Sequence, residues 1–312
     1  MKELINTNDS EKMLRLAEVL TEHGIEAIVL DTEISVLEKQ VGMLPFKLMV
    51  DDKDFAAANA LFTLAEHNIE GIETFDTLLD GRVLLRQPTD GYRVAIDPVL
   101  LAASIEVNPK DRVLDVGSGV GAAALCLASR SAGAEIYGLE VQPELVARSR
   151  LNATASDLSI KFLQGDLLSP PPIISAGGFV HVMANPPYLP PERADPRISG
   201  AKAKSHIEGD ARLSHWVEFS LRMASPNGTI TMVHRADRLD EILTLFHGHA
   251  GGIVVFPIWP RLGVSPKRVI VRAKVGSRAP LRISPGIVLH EADGRYTEIA
   301  SSILNEASSL RI

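Results

Sequence analysis

The stretch HVMANPPYLPPERADPR, His181 to Arg197, holds the residues best suited to chemistry. A central strand cannot contain two prolines, because each lacks the N–H that a ladder needs. The apolar run must therefore stop at about Ala184, leaving Asn185-Pro186-Pro187-Tyr188 as a stiff segment beyond a strand end, where α/β proteins place reactive groups. The types in this segment suit an attack by an amino nitrogen. On a base or an amide, that nitrogen's lone pair is delocalised, so it is a poor nucleophile. Accepting hydrogen bonds from both N–H groups draws it towards tetrahedral geometry, and acceptors fixed in advance do this best. Asn185 offers a side-chain carbonyl and Pro186 a backbone carbonyl, while Pro187 locks the geometry around them. Tyr188 offers an aromatic face on which a planar group can stack, worth about 1–3 kcal/mol for a base.

A second cluster lies in VLDVGSGVGAAAL, residues 113–125. Gly117, Gly119 and Gly121, with Ser118 between the first two, let backbone approach a ligand closely. With Ala122 in the third position the run also fits the dinucleotide pattern G-x-G-x-x-G/A, so alone it is ambiguous. Two acids tip the balance. Asp115 precedes the first glycine by two residues, where its charge repels a pyrophosphate and suits a positively charged amino-acid tail. Asp166, followed by Leu167, ends the third strand and can accept from an exocyclic amine of adenine; Glu140, ending the second, can accept from ribose hydroxyls. Three acids at three successive strand ends suit S-adenosylmethionine, with its ammonium, ribose and adenine.

The elements that must hold these groups are legible as an alternation from Asp111 onward. RVLDV, EIYGLE, IKFLQGD, FVHVMA and TITMVH read as strands, with the helices AAALCLASRS and PELVARSRLNAT between the first ones. This is the rhythm of an α/β, doubly wound, mostly parallel sheet. GGIVVFPIW and KRVIVRAKV follow closely enough to form an antiparallel pair at one edge, and SPPPII and PRISGAKAKSHIEG read as loops. The opening segment reads differently, as strand–helix–strand–strand–helix. Its first helix places Met13, Leu14, Leu16, Ala17 and Leu20 at helical spacing, with Asn8 and Glu11 as a capping box and Gly24 as the stop. The second is opened by Asp51 or Asp52. The expected division is a small α+β accessory domain over 1–70, a linker and extension over 71–110, and the catalytic domain over 111–312.

Composition bounds the setting. One cysteine, Cys126, leaves no internal disulfide and suits a reducing cytosol. No stretch approaches the roughly 20 apolar residues of a membrane span, and the polar start lacks a signal-peptide core, so a cytoplasmic protein is expected. Nine histidines without an H-x-x-x-H pair beside a glutamate argue for no metal. The net charge of −7 is unevenly spread. Residues 1–75 hold 6 basic residues against 15 acidic ones, whereas 193–282 hold 15 basic against 7 acidic, and Ile242 to His290 contains no acid. Such asymmetry points to a polyanionic partner.

With D-x-G-x-G-x-G at 115–121, residues from about 76 to 275 resemble the class I S-adenosylmethionine-dependent methyltransferases. That resemblance implies a Rossmann-like, seven-stranded sheet, mostly parallel with an antiparallel edge strand. GYRVAIDPVLLAAS (91–104) resembles the segment preceding the sheet in the adenine-N6 branch, which implies that Arg93 and Asp97 line the methionine end of the cofactor. The order of motifs, with MVHRADRLDEIL (232–243), is most similar to the bacterial tRNA adenine-N6 methyltransferases. The resemblance implies methyl transfer from S-adenosylmethionine to adenine N6 in a tRNA. Arg193, Arg197, Lys202, Lys204, Arg261, Lys267 and Arg268 would then contact phosphates while a base is splayed into the pocket. Guanine N2 and a release-factor glutamine amide share the motif and stay open as substrates. A non-catalytic S-adenosylmethionine sensor has no use for two amine acceptors. An NAD(H) oxidoreductase lacks its His/Lys or Tyr/Lys arrangement. The N-terminal segment resembles a small ferredoxin-like bacterial family associated with signalling, which implies a protein partner or self-association through this acidic domain.

Overall fold

The computed structural model describes residues 1–7, 10–30, 46–66, 73–88, 93–174, 176–189 and 208–312, and the chain divides into two units, Met1–Phe75 and Asp76–Ile312. In the first unit, β1 (Lys2–Thr7), β2 (Ala27–Leu30) and β3 (Phe46–Val50) form an antiparallel sheet in the order β1-β3-β2. Helices α1 (Ser10–Glu22) and α2 (Phe55–Glu66) accompany it. Met13, Leu16 and Leu20 are buried as the helical spacing requires, and Gly24, at φ +72°, ends the first helix region in a left-handed turn. The second helix starts one turn later than Asp51 or Asp52 suggested, because Asp54 supplies the first helical carbonyl, to the N–H of Ala58. The expected Asn8 cap lies outside the described residues.

The second unit begins within a hairpin of β4 (Glu73–Leu78) and β5 (Val83–Pro88), whose turn uses positive φ at Leu79, Asp80 and Gly81. Then come α3 (Asp97–Ala103), β6 (Arg112–Val116), α4 (Ala122–Ala128), β7 (Glu135–Glu140), α5 (Pro143–Ala155), β8 (Lys161–Gln164) and β9 (Phe179–Ala184). The chain continues through α6 (Leu213–Met223), β10 (Ala224–Arg235), α7 (Leu239–Phe246), β11 (Ala250–Arg261), β12 (Arg268–Val275), β13 (Arg282–Ile283), β14 (Ile287–His290) and α8 (Glu298–Asn305). Strands run in the order β13-β11-β12-β10-β9-β6-β7-β8, with β14 also on β11. The run β8-β7-β6-β9-β10 is parallel throughout. The antiparallel strand is β12, inserted between β10 and β11, and short β13 and β14 extend the sheet outside β11.

Both faces of this sheet are covered, which is why its strands are apolar at nearly every position. Successive residues feed two cores in alternation. Val113, Met183, Phe256 and Ile270 pack with α3, α4 and α8 on one face. Leu114, Val182, Val255 and Val271 pack with α6 and α7 on the other. Among the described residues no helix is long and apolar enough to cross a membrane.

Candidate active site

Parallel strands present their carboxyl ends on one edge, and the order β8-β7-β6-β9 lines up four of them. Register pairs Val116 with Leu139 on one side and with Ala184 on the other, and Glu140 with Gln164. Asp166, Glu140, the glycine turn and Asn185 therefore follow one another along a single edge. A cavity opens there, lined by Asp115, Gly117, Ser118, Gly119, Glu140, Asp166, Leu167, Asn185, Pro186, Pro187 and Tyr188 among others.

The glycine turn is held from behind. Gly117 and Ser118 donate their N–H groups to the Leu139 carbonyl at 2.8 and 3.0 Å, which hangs the turn on the end of β7. At Gly117 (φ +67°) an added Cβ would lie 2.3 Å from Trp216 Cη2, so only glycine lets the α6 indole rest on the turn. Gly119 faces open space and donates its N–H to Glu140 Oε2 at 2.9 Å, while the other Glu140 oxygen accepts from Gln142 N–H. Gly121 does not line the cavity. It caps α4 at φ +92° and admits Phe162, whose Cζ would be 2.7 Å from a Cβ there.

Three buried polar atoms around the cavity have no partner among the described residues: Asp115 Oδ2, Ser118 Oγ and Trp216 Nε1. Buried polar groups normally find partners, so these mark where a ligand must supply them. Burial pushes the Asp115 carboxyl up to about 8, opposed by the Ala124 backbone and reinforced by the Glu140 charge. A cationic ligand suits such a carboxyl, and the donor set fits S-adenosylmethionine. Asp166 is partly exposed and accepts the Leu168 N–H through Oδ1, which fixes its rotamer at the cavity wall.

Beyond β9, the Tyr188 hydroxyl lies 2.5 Å from Asp97 Oδ2 and 2.7 Å from Asn185 Oδ1. The Arg268 guanidinium stacks over the Tyr188 ring at 4.2 Å and donates Nε–H to Asp97 Oδ2 at 3.1 Å. His234 of β10 packs edge-on against the same ring, with centroids 5.4 Å apart. Burial lowers its imidazole to about 4, helped by Arg238 and opposed by backbone groups of Pro187 and Arg235.

Several expected site residues stand elsewhere. Arg93 turns to Asp76, 2.6 Å away, and neither it nor Asp97 lines the cavity; Asp97 is drawn to Tyr188 and Arg268 instead. Arg268, expected on phosphates, is committed to that pair, whereas Arg261 and Lys267 are exposed at the β11–β12 turn. Arg193, Arg197, Lys202 and Lys204 lie outside the described residues. Trp216, Val94 and Pro98 line the cavity without having been singled out for it. Trp216 sits 99 positions after Gly117 in sequence, and no local pattern links them.

Comparison with known proteins agrees with this geometry. Residues 1–66 match the family described as "Putative prokaryotic signal transducing protein", and residues 93–207 match "Methyltransferase small domain". The "tRNA1(Val) (adenine(37)-N6)-methyltransferase" of Aeromonas hydrophila is 30% identical over 213 residues, covering 66% of this chain and 86% of that enzyme. The release factor glutamine methyltransferase of Deinococcus radiodurans is 41% identical, but over 122 residues, 38% of this chain and 41% of that one. The crystal structure of a predicted O-methyltransferase from Agrobacterium tumefaciens shares the fold, with a TM-score of 0.58, 24% identity and coverage of 69% of this chain and 99% of that chain. The chain belongs to the family of the tRNA1(Val) adenine-N6 methyltransferases and is an S-adenosylmethionine-dependent N-methyltransferase.

Proposed function

We propose that the substrate is an adenine N6 in tRNA. The observation that carries this reading is the placement of Asn185-Pro186-Pro187-Tyr188 at the end of β9, beside the glycine turn of β6, with the basic turn of Arg261 and Lys267 in the same unit. S-adenosylmethionine supplies an electrophilic methyl group when bound. Asp115 takes its ammonium end, Glu140 the ribose and Asp166 the adenine edge, with Ser118, Gly119 and Leu167 completing the wall. Asn185 and the Pro186 carbonyl accept the two N–H bonds of the incoming amine, which leaves its lone pair free to attack. Tyr188 lines the cavity, and its ring is the aromatic group on which a planar base would stack. The exposed Arg261 and Lys267, together with the basic residues of the 193–204 stretch, hold phosphates. We take the protein to work in the cytoplasm, where tRNA is modified.

A glutamine amide is the second reading, favoured by the 41% identity to the Deinococcus enzyme. That match spans less than half of the relative, whereas 86% of the Aeromonas tRNA enzyme is covered, which supports the tRNA reading. The decisive experiment offers labelled S-adenosylmethionine with unmodified bulk tRNA and, in parallel, a release factor. Label that digests to N6-methyladenosine is the expected result. Label in the release factor alone would transfer the assignment to a glutamine amide, and N2-methylguanosine would transfer it to guanine.

A further inference from the structure

We infer that Asp97 and Arg268 are positioning residues that set the orientation of the Asn185 amide through the Tyr188 hydroxyl. The inference rests on the reading above, in which Asn185 accepts from the incoming amine. It begins with a proton count. Tyr188 Oη is within hydrogen-bond distance of two acceptors, Asp97 Oδ2 at 2.5 Å and Asn185 Oδ1 at 2.7 Å. A phenol carries one proton and cannot donate to both. Asp97, in an ion pair with Arg268 at 3.1 Å, is an acceptor, and it takes the phenol proton. A donor is then required opposite Oη, so the amide turns over and puts Nδ2 where Oδ1 stands. Amide nitrogen and oxygen are told apart by such partners, so the network itself assigns the orientation.

The consequence is chemical. With Nδ2–H donating to the tyrosine, Oδ1 is released from it and remains the open arm of a residue that lines the cavity. With Oδ1 left against the tyrosine, the oxygen that the amine needs is occupied, and an N–H faces an N–H. The order Arg268, Asp97, Tyr188, Asn185 therefore works as a directional chain of donors, brought together from the start of β12, the start of α3 and the end of β9. Asp97 and Tyr188 are buried, Arg268 is clamped between the carboxylate and the ring, and His234 closes the edge of the ring.

Two measurements on the full chain test this. The first is steady-state transfer to unmodified bulk tRNA by Tyr188→Phe, Asp97→Ala, Asp97→Asn and the double variant Asp97→Ala with Tyr188→Phe. A misoriented acceptor lowers kcat on the order of tenfold to a hundredfold, while cofactor affinity and the KM for tRNA hold within a few-fold. Asp97→Asn recovers much of the loss, because its amide oxygen can still take the phenol proton. The double variant is no worse than Tyr188→Phe alone, because both act through one hydroxyl. Normal kcat in Asp97→Ala, or losses that multiply in the double variant, would overturn the inference.

The second measurement needs no substrate. The Asn185 side-chain amide resonance, assigned with Asn185→Asp, exchanges slowly with solvent in the wild type and quickly in Tyr188→Phe. Equal exchange rates would overturn the donor assignment even if activity fell. Should the wild type label neither tRNA nor a release factor, the substrate reading fails, and the exchange rates alone decide the orientation.

Discussion

A buried carboxyl beside a cavity resists ionisation until a cation reaches it, and Asp115 is in that position. Its folded value of about 8, against an ordinary 3.8, keeps it mostly protonated at neutral pH until a cation binds beside it. Binding the cationic end of S-adenosylmethionine favours the carboxylate, so affinity should rise between about pH 6 and pH 8 and a proton should be released. Calorimetry in buffers of different ionisation enthalpy measures that proton; a flat affinity with no release would remove Asp115 from the ammonium site. The sign for stability is opposite. The raised carboxyl binds its proton more tightly when folded, so unliganded protein loses stability as pH rises from 3.8 towards about 8. Asn185 gives a contrasting expectation. Asn185→Ala should cost on the order of a hundredfold to a thousandfold in turnover, with cofactor affinity nearly unchanged, and the reverse pattern would reassign it. At this scale the sequence was most informative where residue type and strand position combine, as at Asp115, Gly117 and Asn185. It was least informative for Arg93, Asp97 and Arg268, since the partner of a long charged side chain depends on segments far away in the chain.

At the scale of elements, the glycine turn between β6 and α4 depends on a helix from the opposite half of the unit. Gly117→Ala would set a methyl 2.3 Å from the Trp216 ring and force a left-handed φ on alanine. We expect displaced indole fluorescence and weakened cofactor binding together; a wild-type spectrum with wild-type affinity would show that α6 does not shape the site. Strand β10 carries a second dependence in His234, fully buried and lowered from 6.5 to about 4. A depressed base stabilises the fold above 6.5 and loses that contribution as pH falls towards 4. At about pH 5 the loss amounts to roughly 2 kcal/mol. His234→Phe should therefore narrow the drop in melting temperature between neutral and mildly acidic solution, and an unchanged drop would contradict the burial of a neutral ring. The parallel strands and their helices were legible because each repeats a local period, and the prolines after Ala184 end β9 where they should. The β4–β5 hairpin, β13 and the docking of α6 on Gly117 were not, because short strands and helix docking are decided by distant partners rather than by local pattern.

For the whole molecule the charge asymmetry matters more than the net charge. Residues 1–75 carry 6 basic against 15 acidic residues, while 76–312 carry 26 against 24. Among the described residues no cavity-lining residue comes from the first unit, whose match is to a signalling family rather than to a methyltransferase. A chain starting at Glu73, which keeps β4 intact for β5, should bind S-adenosylmethionine as the full chain does. Its behaviour towards tRNA should differ. Lys/Arg contacts with phosphates make affinity fall steeply with salt, and an acidic unit carried on the same chain repels the same phosphates at long range. Removing it should tighten tRNA binding at roughly 50 mM salt and leave little difference at roughly 200 mM, where screening shortens the reach of that repulsion. Titrations of both chains at the two salt concentrations separate the outcomes. Tighter binding confined to low salt supports electrostatic repulsion by the first unit. Weaker binding at both concentrations would mean that the first unit contributes contacts to the RNA, and its acidic composition would then have misled. Loss of cofactor affinity would show instead that the second unit needs the first to form its site.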